Sequence, residues 1–253
     1  MPEKRFTLPF TVRTYEVDAH GQVLPATLMR WFQEAAIRHS AARGFDDARY
    51  RALGSTWWVK EFHMEILAPL AAGEVVEAVT WPAAFQRVLA FRQYRLARPD
   101  GQVVANAEAR WAYIDRATGR PRRLDAEIME GFVPEDEYAL ADREWGAHVL
   151  GRATPPETGV CRRQHPVLWS ELDGAGHVNN AVYAAWIADH LAAASPEIGP
   201  GAIRRLRLRY ERGIPAGALV ESEMWRVMDG RWVYRARTTV EDSAAALAVI
   251  ETA

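Results

Sequence analysis

Asp18-Ala19-His20-Gly21-Gln22-Val23 and Asp173-Gly174-Ala175-Gly176-His177-Val178 are two copies of one pattern, Asp-x-x-Gly-x-Val, each followed by a stretch of helical periodicity. An offset of 155 places Asp173 on Asp18, Gly176 on Gly21, Val178 on Val23, Trp186 on Trp31 and Asp189 on Glu34. Farther on, Gly217-Ala218-Leu219-Val220-Glu221 with Trp225 repeats Gly73-Glu74-Val75-Val76-Glu77 with Trp81 at an offset of 144, a net deletion of 11 residues. Many short repeats build solenoids or propellers, whereas two long copies predict two fused, pseudo-symmetric domains resembling a homodimer made in one chain.

Composition is that of a folded globular protein: 253 residues, 49% apolar and 25% charged. A formal net charge of -2 excludes a general attraction to nucleic acid or to an anionic membrane. Cys161 is the single cysteine, so no intrachain disulfide forms, which suits a reducing, cytoplasmic setting. No apolar run approaches the roughly 20 residues of a membrane span. Met1-Pro2-Glu3-Lys4-Arg5 leads directly into alternating Phe6, Leu8, Phe10 and Val12, the pattern of a strand and not of a signal peptide.

That alternation predicts a strand over Phe6–Val17, and apolar Leu28, Trp31, Phe32, Ala35 and Ala36 predict a helix from about Pro25 to Arg43, stopped by Gly44. Strands follow over Thr56–Leu67, Glu74–Trp81, Val88–Ala97 and Val103–Ile114. The second copy repeats the plan: a strand near Cys161–Trp169, a helix from about Asn180 to Ala194, then strands near Ile203–Tyr210, Ala218–Val227, Arg231–Thr239 and Ala244–Glu251. The expectation is an α+β fold of two domains, 1–115 and 159–253, each a long central helix wrapped by an antiparallel sheet. The charged, proline-bearing stretch 116–158 reads as a linker with a short helix near Asp125–Phe132. Exposed edge strands make a homodimer plausible.

Several chemistries are absent: there is no Gly-x-Ser-x-Gly elbow, no phosphate loop, no dinucleotide fingerprint, and no paired metal-ligand spacing among the seven histidines. No metal or redox cofactor is expected. What remains is the repeated junction of carboxylate, glycine and first helical turn. Helix N–H groups can hold a polarised carbonyl oxygen, glycine lets the backbone approach, and the aspartate can act as base or nucleophile, a combination suited to acyl transfer to water. An aspartate before a helix is also an ordinary cap, worth about 0.5–2 kcal/mol. The second copy carries more than a cap requires, with Asp173, His177, Asn179 and Asn180 inside eight residues.

At these residues the chain resembles the acyl-acyl carrier protein thioesterases of plants and bacteria, built as a tandem double hotdog. Ser170-Glu171-Leu172-Asp173 through Gly176-His177-Val178-Asn179-Asn180, with Tyr183 and Trp186, is similar to that family's segment Asp-x-Asn-x-His-Val-Asn-Asn. Tyr15-Glu16-Val17-Asp18 with Leu28 through Ala36, and Ala109-Arg110-Trp111 with Arg120 through Leu124, resemble its first domain. The resemblance implies hydrolysis of fatty acyl-carrier-protein thioesters, with Asp173, His177 and Asn179 catalytic and Gly176, Val178 and Asn180 at the acyl group. The sequence departs from the pattern twice. Ala175 stands where the plant pattern has Asn, and Gly213 where an acid follows Tyr-Arg-x, so that Glu211 is the substitute acid two positions earlier. The first copy resembles single-hotdog acyl-CoA thioesterases, with Asp18 and Glu34 as an alternative site. Coenzyme A thioesters are therefore the alternative substrates, and a catalytically silent acyl-binding protein is the alternative function. Met29, Phe32, Trp57 and Trp58 are candidate walls for the acyl tail. Arg205, Arg207 and Arg209, alternating along a strand, and Arg120, Arg122 and Arg123 are candidate docking patches for an acidic carrier protein.

Overall fold

The computed structural model describes residues 4–151, 154–241 and 243–253; Met1–Glu3 of the predicted leading segment and residues 152–153 of the predicted linker lie outside the described residues. Two compact units emerge, one of residues up to Arg13 with Arg30–Arg143, the other of Thr14–Met29 with Glu144–Ala253.

In unit 1, strand β1 (Phe6–Thr11) precedes helix α1 (Pro25–Ala42, in this unit from Arg30 on), the short helix α2 (Asp47–Ala52), β2 (Ser55–Ile66), β3 (Val75–Gln86), β4 (Leu89–Ala97), β5 (Val103–Asp115) and α3 (Ala126–Gly131). The strands pair antiparallel in the order β1-β3-β4-β5-β2. Phe32 of α1 packs on Phe62 and Tyr94, and Trp31 stacks on Phe10, so the apolar stripe of the helix meets the concave face of the sheet. The first strand is shorter than its alternation suggests. It ends at Thr11, and Thr14–Glu16 tighten into a 3-10 turn that begins the Asp18 junction. β3 is longer than predicted, running through Pro82, which lies beyond the last β1 pair, Phe6 with Thr80; the missing proline N–H therefore breaks no ladder with β1. Helix α2, capped by the Asp46 side chain on Arg49 N–H at 2.8 Å, has too few residues for a readable period.

Unit 2 holds α4 (Ala147–Leu150), β6 (Val160–Pro166), α5 (Val182–Ala194), β7 (Ile203–Tyr210), β8 (Leu219–Met228), β9 (Arg231–Thr238) and β10 (Ala246–Thr252). Its antiparallel order, β6-β8-β9-β10-β7, is that of unit 1 strand for strand. The duplication is therefore structural as well as sequential. On the inner face of α5, buried His190 lies between Ser222 Oγ, 3.1 Å from Nδ1, and the Cys161 carbonyl, 3.1 Å from Nε2. Burial pushes its pKa down to about 4, so the neutral imidazole is a polar spacer of the core. Among the described residues no helix is long and apolar enough to cross a membrane.

The stretch predicted as a linker packs in two parts. Residues before Arg143 belong to unit 1, where Trp81 Nε1 donates to the Glu137 carbonyl at 2.9 Å and Arg143 Nε to buried Glu108 at 2.6 Å; Glu144 onward belongs to unit 2.

Candidate active site

The two junctions are built from the same hydrogen bonds. In the first, Asp18 N donates to Gln22 O (2.8 Å), Gly21 N to Asp18 O (2.9 Å), Leu24 N to Glu16 O (3.4 Å) and Thr27 N to Leu24 O (2.9 Å). In the second, Asp173 N donates to His177 O (2.8 Å), Gly176 N to Asp173 O (3.0 Å), Asn179 N to Glu171 O (2.9 Å) and Val182 N to Asn179 O (3.0 Å), each bond at the offset of the repeat. Gly21 and Gly176 have φ of 76° and 78°, a left-handed conformation that glycine takes without strain and that lets the loop close.

Within this shared frame the two aspartates differ. Asp18 Oδ1 accepts from both His20 N (2.8 Å) and Gln22 N (3.0 Å), while Oδ2 is buried without a hydrogen-bond partner. Asp18 closes its own loop through Oδ1. Asp173 accepts from one backbone group, Ala175 N at 2.8 Å, and is exposed. Glu34, the expected companion of Asp18, pairs with Arg38 at 2.6 Å in an exposed i,i+4 contact of the kind that contributes little energy.

Three further elements hold the Asp173 loop. Glu171 grips it from below, with Oε1 accepting from Trp186 Nε1 (2.7 Å) and Oε2 from Leu168 N (2.8 Å). The segment after β7 runs alongside, where Val178 N donates to Ile214 O at 2.9 Å and His177 pairs with Pro215 as an isolated bridge. Tyr210 at the end of β7 donates its hydroxyl to the Asn180 carbonyl at 2.8 Å. Burial, reinforced by the nearby Asp173 carboxylate, holds the Tyr183 phenol above its ordinary pKa, so it stays protonated beneath the loop.

These bonds redistribute the expected roles. The N–H groups of Val178 and Asn179 are already spent on Ile214 and Glu171, so they do not serve a substrate oxygen. Asn179 is a cap, its Oδ1 accepting from Ala181 N at 3.0 Å. Asn180 is half-buried, with its backbone carbonyl pinned by the Tyr210 hydroxyl. Glu211 lies past the end of β7, exposed and paired with Arg209 at 2.6 Å, so strand alternation does not bring it to the site. Gly213 is close to His177: a Cβ built there would stand 2.8 Å from the imidazole Cδ2 and 3.0 Å from Cγ. The ring occupies the space an acidic side chain would need.

Of the tail walls, Met29 and Phe32 are buried on α1. Trp57 packs edge-on to Tyr50 and beside Tyr113, whereas Trp58 is exposed, because consecutive strand residues face opposite ways; the two tryptophans do not share one wall. The reading of Arg205, Arg207 and Arg209 as one solvated docking face is also corrected. Arg207 is 1% exposed and donates to the Trp145 carbonyl at 2.9 Å, while Arg209 is held by Glu211. Both faces of β7 are covered, a condition that alternation of arginine with leucine does not reveal. Arg207→Glu is expected to lose about 3–5 kcal/mol of stability in urea unfolding, from an unpaired buried carboxylate, and is no test of docking. In the other patch Arg122 is committed to Asp125 (2.7 Å) and the Leu53 carbonyl (3.0 Å), leaving Arg120 and Arg123 exposed.

The Glu171–Trp186 clamp, Tyr183 and Tyr210 were not assigned roles by sequence reasoning. A signal existed for the clamp, since Glu16 and Trp31 stand at the same spacing in the first copy.

Comparison with known proteins agrees with this fold. The family model for the acyl-ACP thioesterase N-terminal domain matches residues 3–132, and that for the acyl-ACP thioesterase C-terminal domain matches residues 156–247. A chloroplastic palmitoyl-acyl carrier protein thioesterase of Gossypium hirsutum is 26% identical over 227 residues, covering 86% of this chain and 54% of the relative. A chloroplastic oleoyl-acyl carrier protein thioesterase of Arabidopsis thaliana is 25% identical over 201 residues, covering 72% and 53%. The chain thus spans about half the length of these curated relatives. Among solved structures, an acyl-ACP thioesterase from Bacteroides thetaiotaomicron superposes with a TM-score of 0.85 at 18% identity, covering 99% of this chain and 98% of that one. The 12:0-ACP thioesterase of Umbellularia californica gives 0.80 at 18% identity with the same coverage. At such identities the likeness carries the double-hotdog fold.

Proposed function

Because the chain belongs to the acyl-acyl carrier protein thioesterase family, we propose that it hydrolyses fatty acyl-acyl carrier protein to the free fatty acid and the carrier thiol, at the second junction. The observation that carries this reading is the contrast between the two loops: the same frame holds a half-buried Asp18 whose Oδ1 takes two loop N–H groups in one and an exposed Asp173 beside His177, taking a single N–H, in the other.

The thioester carbonyl lies over the start of α5. Asp173, directly or through a water it activates, supplies the nucleophile, and the Asn180 carboxamide donates to the oxygen as it gains negative charge. Collapse of the tetrahedral species breaks the C–S bond, and the proton taken from the attacking water passes through the His177 imidazole to the departing thiolate; where Asp173 attacks directly, water then hydrolyses the acyl-aspartyl anhydride and its proton restores the one His177 gave up. The net reaction consumes one water and yields a carboxylic acid and a thiol. The fold supports this assignment by holding the loop without using the Asp173 carboxylate as a clamp, a task that falls to Glu171.

Carrier protein is proposed over coenzyme A because both halves of the carrier-protein family match the chain, each over most of a unit. Release of free thiol from matched acyl-carrier-protein and acyl-CoA substrates of graded length tests it. The expected result is a kcat/KM at least about tenfold higher for the carrier-protein substrate, a difference of about 1.4 kcal/mol in transition-state binding. Equal or higher values for acyl-CoA would transfer the assignment to a CoA thioesterase, and no release from either would leave an acyl-binding protein.

A further inference from the structure

Unit 1 contains a cluster of basic side chains that the proposed chemistry does not use. His39, in the last turn of α1, is 1% exposed, with Phe6 stacked on its ring at 5.7 Å and Phe132 edge-on at 5.4 Å. Arg92 Nη1 lies 3.1 Å from His39 Nδ1 and donates to Thr80 Oγ1 at 3.3 Å, and its guanidinium stands over the Phe132 ring. On the other side, Arg43 Nε donates toward His39 Nε2 at 3.5 Å.

A neutral imidazole has one acceptor nitrogen and one N–H, and a guanidinium only donates. Two guanidinium groups facing the two ring nitrogens therefore leave one N–H pointed at another N–H. Burial and the two arginines push His39 down to about 3, so the ring adds no charge, but the donors still outnumber the acceptors. Several arginines of unit 1 are balanced by carboxylates, Arg98 by Glu74, Arg110 and Arg143 by Glu108, and Arg122 by Asp125. Among the described residues, Arg43 and Arg92 have no such partner. The carbonyls ending α1 are engaged as well, those of His39, Ser40 and Ala41 accepting from the backbone N–H groups of Arg43, Gly44 and Phe45. Arg43 and Arg92 are partly exposed, and burial holds the Arg92 guanidinium below its ordinary pKa, so its charge is poorly solvated.

We propose that Arg92, Arg43 and His39 form an oxyanion-binding site at the C-terminal end of α1, for a ligand presenting paired acceptor oxygens as carboxylate or phosphate does. A guanidinium fork meets two such oxygens at once, and the charge of the anion offsets the two guanidinium groups that crowd the imidazole. The ligand comes from one of two sources, a free inorganic anion or a carboxylate carried on an aliphatic chain.

Thermal unfolding of the whole chain, with no thioester present, tests the site independently of hydrolysis. Inorganic phosphate, acetate and decanedioate are titrated at constant ionic strength into the wild type, Arg92→Gln and Arg43→Gln. The expected result is a saturable rise in Tm for the wild type, abolished in Arg92→Gln and shifted to at least about tenfold higher ligand concentration in Arg43→Gln. Decanedioate acting at far lower concentration than acetate and phosphate assigns the site to a chain-borne carboxylate, and phosphate acting best assigns it to the free anion. No saturable rise with any of the three, or the same rise in Arg43→Gln as in the wild type, overturns the proposal. Arg43 lies at the rim of the cluster, so that variant remains informative if Arg92→Gln does not fold.

Discussion

Asp173→Asn is expected to lower thiol release by about 10³-fold or more while leaving the melting temperature close to that of the wild type. The side chain is exposed and takes a single backbone hydrogen bond, from Ala175 N, which the Asn Oδ1 can also accept. Little folding energy is lost, whereas the group proposed to attack or activate water is gone, and removal of such a group costs several powers of ten. Asp18→Ala should do the reverse. It deletes the acceptor of two loop N–H groups, at 2.8 and 3.0 Å, and is expected to cost about 2 kcal/mol in urea unfolding with kcat within about twofold of the wild type. Steady-state thiol release and denaturation curves on the two variants decide the matter. A large loss of kcat in Asp18→Ala with Asp173→Asn still active would move the working site to the first junction.

The duplication was legible because its markers are backbone necessities. A left-handed glycine and a carboxylate that closes an N–H turn recur wherever this loop is built, so Gly21 and Gly176 keep their spacing from Asp18 and Asp173. Strand positions were legible for a similar reason, since alternation follows burial; Ile203–Tyr210 is the same in sequence and structure. Where the reading failed, a tertiary contact decided. β7 is covered on both faces, which draws Arg207 inward against Trp145, and no local pattern distinguishes that from a solvated row. The N–H groups of Val178 and Asn179, at the junction with the helix, are good donors by position, but the Ile214 and Glu171 carbonyls, one of them far along the chain, take them first. Glu211 failed because alternation ends with the strand, and β7 stops at Tyr210.

Gly213→Ala is the sharpest probe of His177. The glycine is exposed and is not among those with positive φ, so its backbone accepts any residue, and the substitution should leave Tm near the wild-type value. The added methyl, however, would stand 2.8 Å from Cδ2, 3.0 Å from Cγ and 3.4 Å from Cβ of the histidine. These atoms are near the root of the side chain, so the ring has to turn about its first torsion to escape. A displacement of about 1 Å in a group that delivers a proton is worth about 10²-fold in rate. We expect kcat to fall by that factor with KM little changed, and Gly213→Glu, which returns the acid of the family pattern, to fall further because the larger side chain drives the ring farther from Asp173. Ala175→Asn restores the other departure on an exposed position with open space, so its activity should stay within about threefold of the wild type. Wild-type kcat in Gly213→Ala would mean that His177 acts from a different rotamer or not at all. Gain of activity in Gly213→Glu would mean that the ring and the acid share the site, with the imidazole moving aside once a carboxylate is there to orient it.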